Sequence, residues 1–167
     1  MIPDFPKKGI MFQDITSVTD NKLLFKEVIN EISKYASKHK FTKIAGVEAR
    51  GFIFGAAVAF KLGLPFVPIR KKGKLPGKVL RQKYSLEYGN DEIQIHSNAI
   101  TSRDRVLIID DLIATGGTAD AAAKLVEMCD AKVAAFVFVI NLFDLGGSEN
   151  LVKNNYKVEN LIEFPGH

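Results

Sequence analysis

The sequence predicts an α/β domain built on a mainly parallel twisted sheet flanked by helices, and three observations carry that prediction. Strand-like and helix-like stretches alternate along the chain. Two strand-like stretches, 106–109 and 132–140, are apolar with little alternation, as expected of strands covered on both faces. The residues of unusual chemistry follow strands, and ligands of such sheets bind beyond the carboxyl ends of the strands.

The elements follow in order. Phe5-Pro6-Lys7-Lys8-Gly9 is turn-like, and Ile10-Met11-Phe12 is a short apolar run leading to Asp14, Thr16 and Ser17. Over residues 21–38, Leu24, Phe25, Val28, Ile29, Ile32 and Tyr35 recur at three- and four-residue steps, which predicts an amphipathic helix with Asp20 as its cap. Residues 43–47 read as a strand, 52–62 as an apolar helix ending at Gly63, and 65–69 as the next strand. About twenty residues without helical period follow, punctuated by Gly73, Pro76 and Gly77, and connections of that length are usually functional. A strand at 105–109, a helix after Gly116-Gly117-Thr118 to about Met128 and a strand at 132–140 complete the reading.

With 167 residues the chain has the length of one domain, and 47% hydrophobic with 25% charged residues excludes a disordered or fibrous class. No apolar run approaches the roughly 18–20 residues of a membrane span, and Met1-Ile2-Pro3-Asp4 does not start a secretory signal. The single cysteine, Cys129, lies in an apolar helical pattern and reads as packing, so a reducing, cytoplasmic setting is expected. The three histidines, His39, His96 and His167, lack metal-ligand spacing, and no nucleophile elbow is present.

Net charge is +4, but seven of the 23 basic residues and none of the 19 acidic ones fall within 70–83, leaving the rest of the chain at −3. Basic character is therefore local. A uniformly basic surface would suggest nucleic acid; one short cationic segment suits a compact polyanion such as a polyphosphate, with neither nucleic acid nor membrane as partner.

The most informative string is Val106-Leu107-Ile108-Ile109-Asp110-Asp111-Leu112-Ile113-Ala114-Thr115-Gly116-Gly117-Thr118. A buried strand delivers two carboxylates to the sheet edge, and small, hydroxylated residues then open a helix. Gly116 and Gly117 allow close approach of the backbone to a phosphate, amides at the helix start point at its oxygens, and Thr115 and Thr118 add hydroxyl donors. Asp110 and Asp111 can accept from ribose hydroxyls. The glycine spacing fits neither the lysine-containing phosphate loop nor the dinucleotide fingerprint.

This string resembles the phosphoribosyl-pyrophosphate (PRPP) signature of the type I phosphoribosyltransferases. Three further segments resemble the adenine phosphoribosyltransferases among them: Phe5-Pro6 through Phe12-Gln13-Asp14-Ile15-Thr16, Glu48-Ala49-Arg50-Gly51-Phe52, and the Arg70 to Gly77 segment followed by Tyr84-Ser85-Leu86-Glu87-Tyr88-Gly89. The segments come in family order and span nearly the whole chain. The resemblance implies one domain over 1–167, with a small N-terminal hood at about 1–20 and a mobile lid at about 70–90. It also implies transfer of the phosphoribosyl group of PRPP to N9 of adenine, giving AMP and pyrophosphate, with Mg²⁺ as cofactor carried by PRPP and no direct protein ligand assigned to the metal. A homodimer is implied as well.

By that resemblance Ala114, Thr115, Gly116, Gly117 and Thr118 hold the 5′-phosphate, Asp110 and Asp111 the ribose hydroxyls, and Arg50, Lys71 and Lys74 the pyrophosphate. Phe12 and Leu112 sandwich the purine, and the Met11 backbone meets its hydrogen-bonding edge. A cis peptide is implied at Glu48-Ala49. Glu87, in the lid, is the expected general acid or base at the purine, an effect worth typically about 10²–10⁴-fold. Gln13 stands where many relatives have arginine, and Lys7-Lys8 replaces a more proline-rich turn; both departures touch the hood. The signature alone is shared by enzymes for 6-oxopurines and by non-catalytic PRPP-binding regulators. The Tyr-Ser-Leu-Glu-Tyr-Gly segment favours adenine, and 167 residues leave no room for a DNA-binding appendage.

Overall fold

A computed structural model describes residues 14–86 and 89–166, together with the backbone of 2–3 and 11–12. The two short N-terminal strands, β1 (Ile2–Pro3) and β2 (Met11–Phe12), pair antiparallel as a separate small sheet. After α1 (Thr16–Thr19) and α2 (Lys22–Ser37) the chain enters a seven-stranded sheet. Its members are β3 (Lys43–Val47), β4 (Phe66–Lys71), β5 (Val79–Ser85), β6 (Asn90–His96), β7 (Arg105–Ile113), β8 (Lys132–Leu142) and β9 (Val158–Phe164). Helix α3 (Gly51–Leu62) joins β3 to β4, α4 (Gly117–Glu127) joins β7 to β8, and α5 (Gly147–Lys153) precedes β9.

The strand order is β5-β6-β4-β3-β7-β8-β9, parallel from β4 to β9 and antiparallel where β6 meets β4 and β5. Alternate residues of β7 serve two cores. Leu107 and Ile109 pack with Ile29 and Ile32 of α2 and Phe54 and Val58 of α3. Val106 and Ile108 pack with Ala122, Leu125 and Val126 of α4. Continuous burial on both faces is what the unbroken apolar run of this strand predicted.

Several boundaries differ from the sequence reading. Asn21, not Asp20, caps α2: its side-chain oxygen accepts from the amides of Leu23 and Leu24 at 3.0 and 3.1 Å. Strand β7 runs four residues past Ile109, because β8 continues to pair with it as far as Ile113↔Asn141. The cationic connection is not without structure: β5 occupies most of its second half and pairs with β6 through seven residues, Val79↔His96 to Ser85↔Asn90. Lysine and arginine on an edge strand obscure the alternation there, and edge strands commonly carry such charges. Strand β6, α5 and β9 were not anticipated. Within the described residues no helix is long and apolar enough to cross a membrane.

Candidate active site

The carboxyl ends of β3, β4 and β7 lie along one edge of the sheet, and of the residues singled out from sequence Arg50, Asp110, Asp111 and the 114–118 turn converge there. Beyond β7, residues 114–116 form a tight turn into α4. Gly116 has φ +88°, a conformation that suits glycine. The turn is braced from outside by the start of α5: the Gly147 amide donates to the Ala114 carbonyl at 3.0 Å. A Cβ on Gly147 would lie 2.3 Å from that carbonyl oxygen and 2.7 Å from the Gly116 nitrogen, so the two turns touch backbone to backbone. Within the described residues no acceptor takes the amides of Thr115, Gly116, Gly117 and Thr118. They remain available to a ligand, at the end of a helix whose dipole favours an anion. A cavity of about 160 Å³ opens here, lined by Asp110, Leu112, Thr115, Gly117, Thr118 and Phe138 among others.

The second loop, between β3 and α3, lies beside the two aspartates. The Glu48–Ala49 peptide is cis, as the resemblance implied. Arg50 stands immediately before α3, and its Nε sits 2.8 Å from Asp111 Oδ2. A Cβ at Gly51 would fall 2.8 Å from Asp110 Oδ1, so the absence of a side chain is what lets Asp110 reach its place. Asp110 Oδ1 accepts from the Asp111 amide at 2.9 Å. Burial, together with the neighbouring Asp111 charge, pushes the Asp110 carboxyl well above the usual carboxylate range.

Third comes the cationic hairpin. Glu48 accepts from Arg70 Nη2 at 3.0 Å and Nε at 3.3 Å, and from the Lys71 amide at 2.7 Å. Burial would raise the Glu48 carboxyl, but the Arg70 and Lys71 hydrogen bonds outweigh it and hold the group below its ordinary value. The Lys71 ammonium is held by Asp91 and by Tyr84 Oη, the latter at 2.7 Å. Lys74 is exposed; its carbonyl accepts from Arg70 Nη1 at 3.1 Å, closing the turn after β4.

The structure thus brings Arg50, Asp110, Asp111 and the 114–118 turn into one site, with the half-buried Leu112 on its wall. It ties Lys71 into the hairpin and leaves Lys74 open to solvent. Glu87, Gln13, Lys7 and Lys8 lie outside the described residues, as do the side chains of Met11 and Phe12, whose backbone forms β2. Sequence reasoning missed Glu48 as the anchor of Arg70, Gly147 as the brace of the turn, and Asp91 and Tyr84 as partners of Lys71. Glu48 and Tyr84 lay within motif segments, but nothing in sequence marked these contacts, since each joins residues at least thirteen apart in the chain.

An open amide turn and two carboxylates at the carboxyl edge of the parallel strands are chemistry suited to a phosphate ester bearing hydroxyls. The phosphoribosyl transferase domain family matches residues 14–165, and the chain belongs to that family. An adenine phosphoribosyltransferase of Pelagibacter ubique is 58% identical over 166 residues, 99% of this chain and 95% of that protein. The crystal structure of adenine phosphoribosyltransferase from Thermoanaerobacter pseudethanolicus is 48% identical with a TM-score of 0.93, covering 98% of this chain and 94% of that one. The Saccharomyces cerevisiae enzyme, crystallised with an imino-altritol bisphosphate and adenine, is 41% identical with a TM-score of 0.88, covering 96% and 92%.

Proposed function

We propose that this chain transfers the phosphoribosyl group of PRPP to N9 of adenine, forming AMP and releasing pyrophosphate, in purine salvage. The observation that carries the reading is the 114–118 turn, with its unpaired amides, beside Asp110 and Asp111. Its similarity to adenine phosphoribosyltransferases over nearly the whole chain supports adenine as the base.

In this reading Ala114, Thr115, Gly116, Gly117 and Thr118 bind the 5′-phosphate. Asp111 and Asp110 accept from the ribose hydroxyls, which fixes the sugar so that its anomeric carbon faces the base. As pyrophosphate departs, positive character grows on the ribose and negative charge on the leaving group. Arg50, Lys71 and Lys74 meet that negative charge, worth most where water is excluded. The hairpin and the turn before it, within about 70–90, act as the lid that excludes water. Phe12 and Leu112 clasp the purine under the hood at about 1–20, the Met11 backbone meets its edge, and Glu87 manages the proton at the purine as N9 forms its bond.

The described residues hold no group of three or more His, Cys, Asp or Glu side chains able to bind a metal ion. Asp110 and Asp111, two oxygen-donor carboxylates at the site, suit a hard cation such as Mg²⁺ carried on PRPP oxygens. Bound in that way, the ion neutralises charge on the pyrophosphate. The family resemblance supports a homodimer, and a lone free cysteine, Cys129, supports the cytoplasm.

A base-competition assay tests the reading: PRPP and Mg²⁺ are supplied with adenine, hypoxanthine, guanine or xanthine, and pyrophosphate release is followed. Release with adenine alone is expected. Preference for a 6-oxopurine would reassign the base, since amino and oxo groups reverse the hydrogen-bond pattern at the pocket. No release with any base would point to a PRPP-binding regulator.

A further inference from the structure

We infer that Asp91 and Tyr84 are positioning residues that hold the Lys71 ammonium where it meets the pyrophosphate of PRPP. The inference deepens the proposed function and rests on its assignment of Lys71.

Three strands build the cluster. Lys71 ends β4, Asp91 lies on β6 and Tyr84 on β5, where Tyr84 and Asp91 face each other in the antiparallel register. Lys71 donates to Asp91 Oδ2 and to Tyr84 Oη, and the Tyr84 hydroxyl donates to the same Oδ2 at 3.1 Å. The other carboxylate oxygen of Asp91 accepts from the Glu92 amide at 2.7 Å, which fixes the carboxylate in turn. An ammonium has three N–H donors. Two are taken by this pair, and among the described residues no acceptor takes the third, which is open to an incoming oxygen.

The cluster is also joined to the phosphate turn. Tyr84 is only 9% exposed, and its ring edge lies 3.7 Å from where a Cβ of Gly117 would stand, with the Ser85 carbonyl at 3.4 Å. One tyrosine therefore packs on the first residue of α4 and orients the lysine. At the other end of Lys71, its backbone amide is held by Glu48 of the β3–α3 loop. A flexible four-carbon side chain is thereby located relative to both loops. Burial would lower the Lys71 pKa, but the hydrogen bonds to Asp91 and Tyr84 raise it on balance, so the charge is retained.

The sign of one measurement separates positioning from simple electrostatics. Removing a negative charge near a polyanion's site should strengthen PRPP binding if only net charge mattered; loss of positioning should weaken it. For Asp91→Asn we expect the KM for PRPP to rise about tenfold, in keeping with loss of a charged hydrogen bond, while kcat changes less than about twofold. Tyr84→Phe keeps the ring against Gly117 and should raise KM in the same direction, and Asp91→Glu should recover part of the loss. In a Lys71→Ala background, Asp91→Asn should add nothing, whereas a purely structural role for Asp91 would persist there.

An unchanged or lower KM for Asp91→Asn, or an equal rise without Lys71, overturns the inference. If Lys71→Ala itself leaves the KM for PRPP unchanged, the assignment of Lys71 fails, and the inference with it. Should Asp91→Asn fold poorly by circular dichroism, the Tyr84→Phe result in both backgrounds decides by the same criteria.

Discussion

Arg50 Nε stands 2.8 Å from Asp111 Oδ2, so the cation assigned to pyrophosphate and the carboxylate assigned to ribose are already paired across two loops. Asp111 is 5% exposed, and a buried carboxylate of this kind depends on its partner. Arg50→Gln should therefore have two effects. PRPP binding should weaken by at least about tenfold, read by isothermal titration. Thermal stability should also fall. The arginine side chain is 39% exposed, and solvent screens the pair. The loss should accordingly be nearer about 1–2 kcal/mol than the full cost of stranding a buried charge, or about 2–8 °C in Tm at this chain length. Unchanged PRPP affinity would remove Arg50 from the site.

Gly147 carries the next prediction. Its missing Cβ would meet backbone atoms of Ala114 and Gly116 that cannot swing aside. Gly147→Ala should push the turn out of shape, costing about 1–3 kcal/mol of stability by overpacking and abolishing measurable PRPP binding by calorimetry. Binding at wild-type affinity in this variant would show that the turn geometry is not what holds the ligand.

Asp110 gives a pH dependence with a definite sign. Its carboxyl is raised in the folded protein, so the charged form is disfavoured there relative to the unfolded chain. The associated stability is fully present below the ordinary carboxylate value of about 3.9 and is lost as pH rises through the elevated folded value. Asp110→Asn removes that titration. Its Tm should exceed the wild-type Tm at neutral pH, and the difference should shrink on acidification. A gap that widens toward low pH would contradict the assignment.

Glu87 is tested by kinetics. Glu87→Ala should keep PRPP affinity and lose about 10²–10⁴-fold in kcat, the usual contribution of a general acid or base. Unchanged turnover in a steady-state assay would refute its role.

The site was legible in sequence to the extent that its parts are contiguous. Asp110, Asp111 and the 114–118 turn sit on one strand–turn–helix unit, so residue type and spacing alone report their shared chemistry. Arg50 was legible as part of a family motif, though its pairing with Asp111 was not. β5 was hidden because its basic residues mask the alternation of a half-buried edge strand. The role of Asp91 had no sequence signal, since its partner Lys71 lies twenty residues upstream and meets it only through antiparallel pairing.

From its sequence by itself this chain read as an α/β domain with a turn suited to a phosphate ester at the end of β7, because buried apolar runs and a glycine-threonine turn are local properties that periodicity and composition record. Tertiary structure alone decided which charges face one another: Arg50 with Asp111, Glu48 with Arg70, and Lys71 with Asp91 and Tyr84. Those pairings follow from strand order and register, which bring distant residues within about 3 Å, the range over which a hydrogen bond or ion pair acts.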